Sequence, residues 1–184
     1  MAVWWRAFAD LYPDEMAGLV LVDASRPDQW ARIPASLDGQ LAALSNRVLS
    51  DLATLGLLRV IDPLTPEVAT GLPQHEYAQM RAVFALPGSS AVGADTLAVW
   101  HTRTRPQVNA ARPLGSLPLL VLSVTEQPLY GEVLTALQAE LPRLSSNSVH
   151  RVVEGASHED LISDPAHAAV VAAAIRQHVA ASGT

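Results

Sequence analysis

The stretch Gly155-Ala-Ser-His-Glu-Asp160 places a histidine between a short apolar segment and a pattern typical of a helix. An imidazole near neutral pH can serve as general base for a serine hydroxyl when a loop holds it within hydrogen-bonding distance. From residue type alone, an ordinary surface histidine is the more frequent interpretation, because a lone histidine is not a motif. His158 is therefore the first candidate for chemistry, and its role depends on its neighbours.

Other chemistries find little support in the chain. Three consecutive side chains such as His158-Glu159-Asp160 point in different directions, and His75, His150, His167 and His178 show no H-E-x-x-H spacing, so we expect no metal site. The sequence contains neither a G-x-G-x-x-G nor a Walker motif, so we expect no nucleotide and no other cofactor. Ser25 and Ser157 could be considered as nucleophiles, but neither follows the strand–Gly–helix pattern that exposes a reactive serine.

The composition limits the class of protein and its partners. Of the 184 residues, 49% are apolar and 16% are charged, which is enough apolar material for one domain with a core. The net charge of −6 argues against nucleic acid and anionic membranes as partners. The longest apolar run, at 117–124, is too short to span a bilayer, and we find no signal-peptide pattern. We therefore expect a soluble protein of the cytoplasm.

Three apolar runs predict strands buried on both faces of a parallel sheet. They are LVLVDA at 19–24, LPLLVLSV at 117–124 and the shorter HRVVE at 150–154. Residues 26–112 show helical periodicity broken by prolines and contain no convincing strand. Alternation of strands and helices predicts an α/β fold with three parallel strands flanked by helices, interrupted by a helical insertion.

Helices are predicted on either side of these strands. Residues 2–12 and 132–144 have apolar positions at helical spacing. Asp164 is a suitable N-cap for a last helix, which has Pro165 at its first position and extends to about Ala181.

In order and spacing, these segments resemble the C-terminal part of an α/β-hydrolase. The matching stretches are FADLYPDEMAGLVLVDASRPDQ (8–29), LGSLPLLVLSVTEQP (114–128) and SSNSVHRVVEGASHEDLISDPAHAAVVAAAIRQHV (145–179). The resemblance implies a partial α/β-hydrolase fold, with residues 1–25 and 113–184 forming the core and residues 26–112 forming a helical cap.

The resemblance also implies a serine-type catalytic triad with His158 as its base. It places the acid in the loop after the second strand, where Glu126 is the candidate. Some relatives carry the acid after the preceding strand instead, which would select Asp23. The nucleophilic serine of this family lies in a G-x-S-x-G turn before the helix at 2–12, and the sequence contains no such motif.

Two functions follow as expectations. The first is a hydrolase of an ester or similar acyl bond of a small molecule, inactive as this chain alone because the nucleophile and the oxyanion hole are missing. A misplaced start codon or a true fragment would both explain the missing parts. The second is a non-catalytic truncated paralogue in which the strand at 19–24 has an exposed edge that pairs with a second copy or with a partner.

Overall fold

The computed structural model describes residues 2–33, 39–62, 71–126 and 131–183. We number the elements in chain order. The strands are β1 (Leu19–Val22), β2 (Leu119–Val124) and β3 (Ser148–Val153). The helices are α1 (Ala2–Leu11), α2 (Gln29–Arg32), α3 (Gly39–Thr54), α4 (Gln74–Phe84), α5 (Pro87–Val99), α6 (Arg105–Ala110), α7 (Gly131–Glu140), α8 (Asp160–Ser163) and α9 (Pro165–Ala181). Short 3₁₀ turns lie at Pro13–Glu15, Leu57–Arg59 and Leu141–Leu144, and a π-helical turn at Trp100–Thr104 joins α5 to α6.

The described residues form one parallel sheet with the strand order β1-β2-β3. Leu19 lies opposite Leu119, and Leu119 lies opposite Ser148, so the strands begin in step. The predicted α/β class with three parallel strands flanked by helices is therefore confirmed. The strand at 19–24 is shorter than predicted because the backbone leaves the extended region at Asp23, where φ is +39°.

Both faces of the sheet are covered, which explains why its strands are continuous apolar runs. All six residues of β2 are buried. On one face, the side chains of β1 and β2 pack against Leu141, at the end of α7. On the other face, Leu120 and Leu122 pack against Ala174 of α9.

Between β1 and β2, the described residues form helices and turns and no strand, as predicted for the insertion. This segment is attached to the rest of the molecule near its beginning. Arg26 and Arg32 both form ion pairs with Asp28 and with Glu140 of α7. Within the segment, the indole N–H of Trp100 donates to the carbonyl of Pro27 over 3.2 Å. Trp100 and Val108 pack with Ala7 of α1, so the segment is attached near its end as well. The division into a core and a cap stays a prediction.

In the part of the chain that the structure describes, no helix has both the length and the apolar character needed to cross a membrane.

Candidate functional site

Two loops at the carboxyl end of the sheet form the candidate site. In parallel sheets the carboxyl ends of the strands meet at one edge, where ligands are commonly bound. The first loop follows β1 and begins with Asp23. The second follows β3 and turns at Gly155, whose φ of +68° is in the left-handed region that glycine enters without steric cost. His158 comes three residues later.

Asp23 is held in an unusual backbone conformation directly after β1. Among the described residues it is the one non-glycine residue with a positive φ, and its N–H donates to the carbonyl of Leu122 over 2.7 Å. Aspartate tolerates this region better than most side chains do, because its short polar group can bond locally. This hydrogen bond continues the pairing with β2 by one residue beyond the end of β1. Only 7% of the Asp23 side chain is exposed.

The Asp23 carboxylate and the His158 imidazole are in contact, although the two residues are 135 positions apart in the sequence. Oδ2 of Asp23 lies 2.6 Å from Nδ1 of His158, and 66% of the histidine side chain is exposed. The hydrogen bond to Asp23 raises the pKa of His158 above its ordinary value, and partial burial opposes the rise. An ionised carboxylate only accepts hydrogen bonds, so Nδ1 donates, and Nε2 is left as the nitrogen that can take up a proton. This arrangement can carry out general-base chemistry.

Glu126, the predicted acid, does not meet His158 in the structure. Its side chain is exposed, and its main-chain N–H donates to the carbonyl of Ala156 over 3.0 Å. No hydrogen bond joins the Glu126 carboxylate to His158. The loop after β2 is therefore joined to the loop after β3 through the backbone at Glu126, whereas the carboxylate on the imidazole belongs to Asp23. The geometry favours Asp23, the alternative, as the acid of the site.

No serine or threonine hydroxyl of the described residues bonds to His158. The hydroxyl of Ser157, a candidate considered from sequence, accepts the N–H of Asp160 over 3.3 Å. A different serine–histidine contact was not anticipated: Oγ of Ser123 lies 2.8 Å from Nε2 of His150. Ser123 is 5% exposed and lies within β2, so this contact joins neighbouring strands. Its detection required the register of β2 and β3, which the sequence does not give.

Among the residues for which the structure gives positions, no three His, Asp or Glu side chains are grouped to hold a metal ion. A recess of about 160 Å³ is lined by Met16 and Leu117, which precede β1 and β2, and by the ion pair of Asp10 and Arg112. It therefore lies toward the amino end of the sheet and includes neither Asp23 nor His158.

Comparison of the chain with protein-family models, with curated proteins and with solved structures found no match.

Proposed function

We propose that this chain contributes the base and the acid of a serine-type hydrolase of the α/β-hydrolase kind, acting on an ester or similar acyl bond of a small molecule. The observation that carries the proposal is the hydrogen bond of 2.6 Å between Asp23 and His158. It joins a buried carboxylate to an exposed imidazole where β1 and β3 end, which is the relation that a triad requires between its acid and its base.

In the proposed reaction, Nε2 of His158 takes the proton of a serine hydroxyl while the serine oxygen attacks the acyl carbon. The same proton passes from Nε2 to the leaving group when the acyl bond breaks, which leaves the acyl group on the serine. In the second half of the reaction Nε2 takes a proton from water, the water oxygen attacks the acyl carbon, and the proton returns to the serine oxygen as the acid is released. Asp23 fixes the ring through Nδ1 and stabilises the imidazolium while it exists. No cofactor takes part in this proposed reaction.

The serine must come from outside these residues, because the 184 residues contain no G-x-S-x-G turn. A second segment, encoded next to this one or carried by a partner, would supply the serine together with the donors of an oxyanion hole. The chain by itself is then expected to be inactive, since it holds neither the nucleophile nor these donors. We also propose that the protein is located in the cytoplasm.

The proposal is tested on the longest reading frame that includes this chain. The DNA upstream of Met1 is translated in frame, and the protein it encodes is expressed and assayed with p-nitrophenyl esters. If the upstream codons contain G-x-S-x-G, we expect turnover that His158→Ala abolishes and that Asp23→Asn lowers by up to about 10⁴-fold. Glu126→Gln is the matched control, because it removes a carboxylate from a loop of the same site, and it should retain turnover close to that of the parent.

Two results would overturn this assignment. Turnover lost in Glu126→Gln and kept in Asp23→Asn would move the acid to Glu126. Ester hydrolysis by residues 1–184 alone, abolished by His158→Ala, would mean that the chain contains a nucleophile of its own.

A second candidate function is supported by the outer edge of β1. Leu19 and Asp23 donate their N–H groups to β2, and because directions alternate along a strand, the N–H groups of Val20 and Val22 point away from it. Within the described residues β1 pairs with β2 alone, although its side chains have the apolar character of a central strand. Such an edge is suited to pairing with another strand, so a non-catalytic protein that binds a second copy of itself is the alternative.

This alternative predicts a dimer that depends on the outward N–H groups. Val20→Pro removes one of them and should convert the dimer to a monomer, as measured by light scattering after size-exclusion chromatography. Leu21→Pro is the control, since it removes a donor that faces β2, and it should unfold the sheet instead. A wild-type chain that is monomeric at all accessible concentrations would rule the alternative out.

A further inference from the structure

We propose that Ser157 and Asp160 are positioning residues for His158: together they fix the backbone that carries the imidazole to Asp23. This inference rests on the proposed role of His158 as base. It assigns a positioning role to two side chains that the sequence analysis did not connect with the orientation of His158.

The two residues form a reciprocal pair of hydrogen bonds around His158. The N–H of Ser157 donates to Oδ2 of Asp160 over 2.8 Å, and the N–H of Asp160 donates to the hydroxyl of Ser157 over 3.3 Å. These bonds have the pattern of a capping box, in which residues three apart satisfy each other's main-chain donors, and they lie in the turn that leads into α8. His158 and Glu159 are the two residues enclosed by it. The N–H and hydroxyl of Ser157 hold the pKa of Asp160 below its ordinary value, which keeps the acceptor ionised.

An apolar contact closes the same turn from the inside. Ala156, just before the box, is fully buried, and Leu161, just after it, is 4% exposed. Both belong to one cluster with Val124 and Val153, the last residues of β2 and β3. Residues at these two positions commonly pack together as a hydrophobic staple, which sets the direction in which the chain enters the helix.

The start of the loop is tied to the loop after β2. The N–H of Gly155 donates to the hydroxyl of Thr125 over 2.8 Å, and the N–H of Glu126 donates to the carbonyl of Ala156. The chain is thus fixed before His158 by the loop after β2, and the box fixes it on both sides of His158. With two thirds of its side chain exposed, His158 has little packing of its own to hold it. Its approach to Asp23 therefore depends on the backbone that these bonds fix.

The test is an NMR titration of the His158 imidazole in the 184-residue chain, with the resonance assigned by its loss in His158→Gln. In Asp160→Ala the bond from the Ser157 N–H loses its acceptor, and we expect the pKa of His158 to fall toward that of an unpaired imidazole. Asp160→Asn keeps an acceptor for the Ser157 N–H without the charge and should restore most of the wild-type value. Glu159→Gln removes the neighbouring charge but leaves the box intact, so the pKa of His158 should fall less in this variant than in Asp160→Ala.

The outcomes separate this inference from the function on which it rests. If the pKa of His158 in the wild-type protein is not raised, the hydrogen bond between Asp23 and His158 would be contradicted, and the proposed function with it. A raised wild-type value that persists in a folded Asp160→Ala would overturn only the positioning role. If Asp160→Ala does not fold, Ser157→Ala is the deciding variant, because it removes the acceptor of the Asp160 N–H. We expect it to lower the pKa of His158 by a smaller step in the same direction.

Discussion

Asp23 combines a strained backbone conformation with a buried carboxylate, and this carboxylate is in contact with His158. A positive φ outside glycine costs free energy and persists only where the surroundings fix it. Here the bond from its N–H to Leu122 and the contact with His158 do so. Asparagine tolerates the same φ, so Asp23→Asn changes the charge with little added strain.

At this pair we predict a stability difference that depends on pH. The pKa of His158 is raised in the folded protein, so folding is favoured by protonation of this ring. Compared with Asp23→Asn, the wild type should gain stability that is full below about pH 6.5, the unfolded value, and that is lost as the pH rises through the raised folded value. Urea unfolding of both proteins between pH 5.5 and pH 9 measures it. A difference that is constant over this range would contradict the charged contact.

Gly71 is a second residue whose identity is set by close contact. A Cβ built there would lie 2.3 Å from the carbonyl oxygen of Ser163, the last residue of α8. We predict that Gly71→Ala lowers the free energy of unfolding by about 1–3 kcal/mol, the usual cost of overpacking.

Gly88 is the matched control for this substitution, because a Cβ there would meet nothing within 4 Å. Gly88→Ala should leave the free energy of unfolding unchanged or raise it by up to about 1 kcal/mol, since alanine is the better helix former. Thermal unfolding of the two variants gives both numbers. Equal effects would show that the contact with Ser163 carries no cost.

At the scale of elements, α9 shows how local sequence fixes a helix that the sheet then uses. Asp164 accepts hydrogen bonds from the N–H groups of Ala166 and His167, and Pro165 occupies the first turn. The predicted cap, first residue and end of this helix are all confirmed. The helix covers Leu120 and Leu122 of β2, so its start sets the position of one layer of the core.

We predict that Asp164→Ala lowers the free energy of unfolding by about 1 kcal/mol, because two main-chain donors lose their acceptor. Asp164→Asn retains an oxygen in the same place and should cost only a fraction of that. Chemical denaturation of both variants is the measurement. A loss in Asp164→Asn as large as in Asp164→Ala would assign the effect to charge and not to capping.

At the scale of the whole molecule, burial is distributed unequally. All six residues of β2 are buried and four of them, Leu119 to Leu122, are paired on both sides, whereas α4 in the insertion contains no buried residue. We expect the amides of β2 to exchange with deuterium most slowly and those of α4 to exchange orders of magnitude faster, because exchange follows the local free energy of opening. Mass spectrometry of peptic peptides tests this. Equal protection would mean that the insertion and the sheet open as one unit.

Local patterns in the sequence were sufficient for the elements and for the class of fold. The apolar runs at 19–24 and 117–124 are typical of strands buried on both faces, which favours a parallel sheet with helices on either side. Asp164 and Pro165 gave the start of α9 because capping involves only neighbouring residues. His158 became a candidate from its place between a predicted strand and a predicted helix, together with the resemblance of the whole chain to a known fold, and its role as a base stays a prediction.

Only the tertiary structure decided which carboxylate meets His158. Asp23 and Glu126 both follow strands, so the sequence left both open. The choice depends on the left-handed turn of the backbone at Asp23, which no propensity predicts, and on the contact of two loops 135 residues apart. Such contacts depend on strand order and register, because the sheet alone brings distant segments together at one edge.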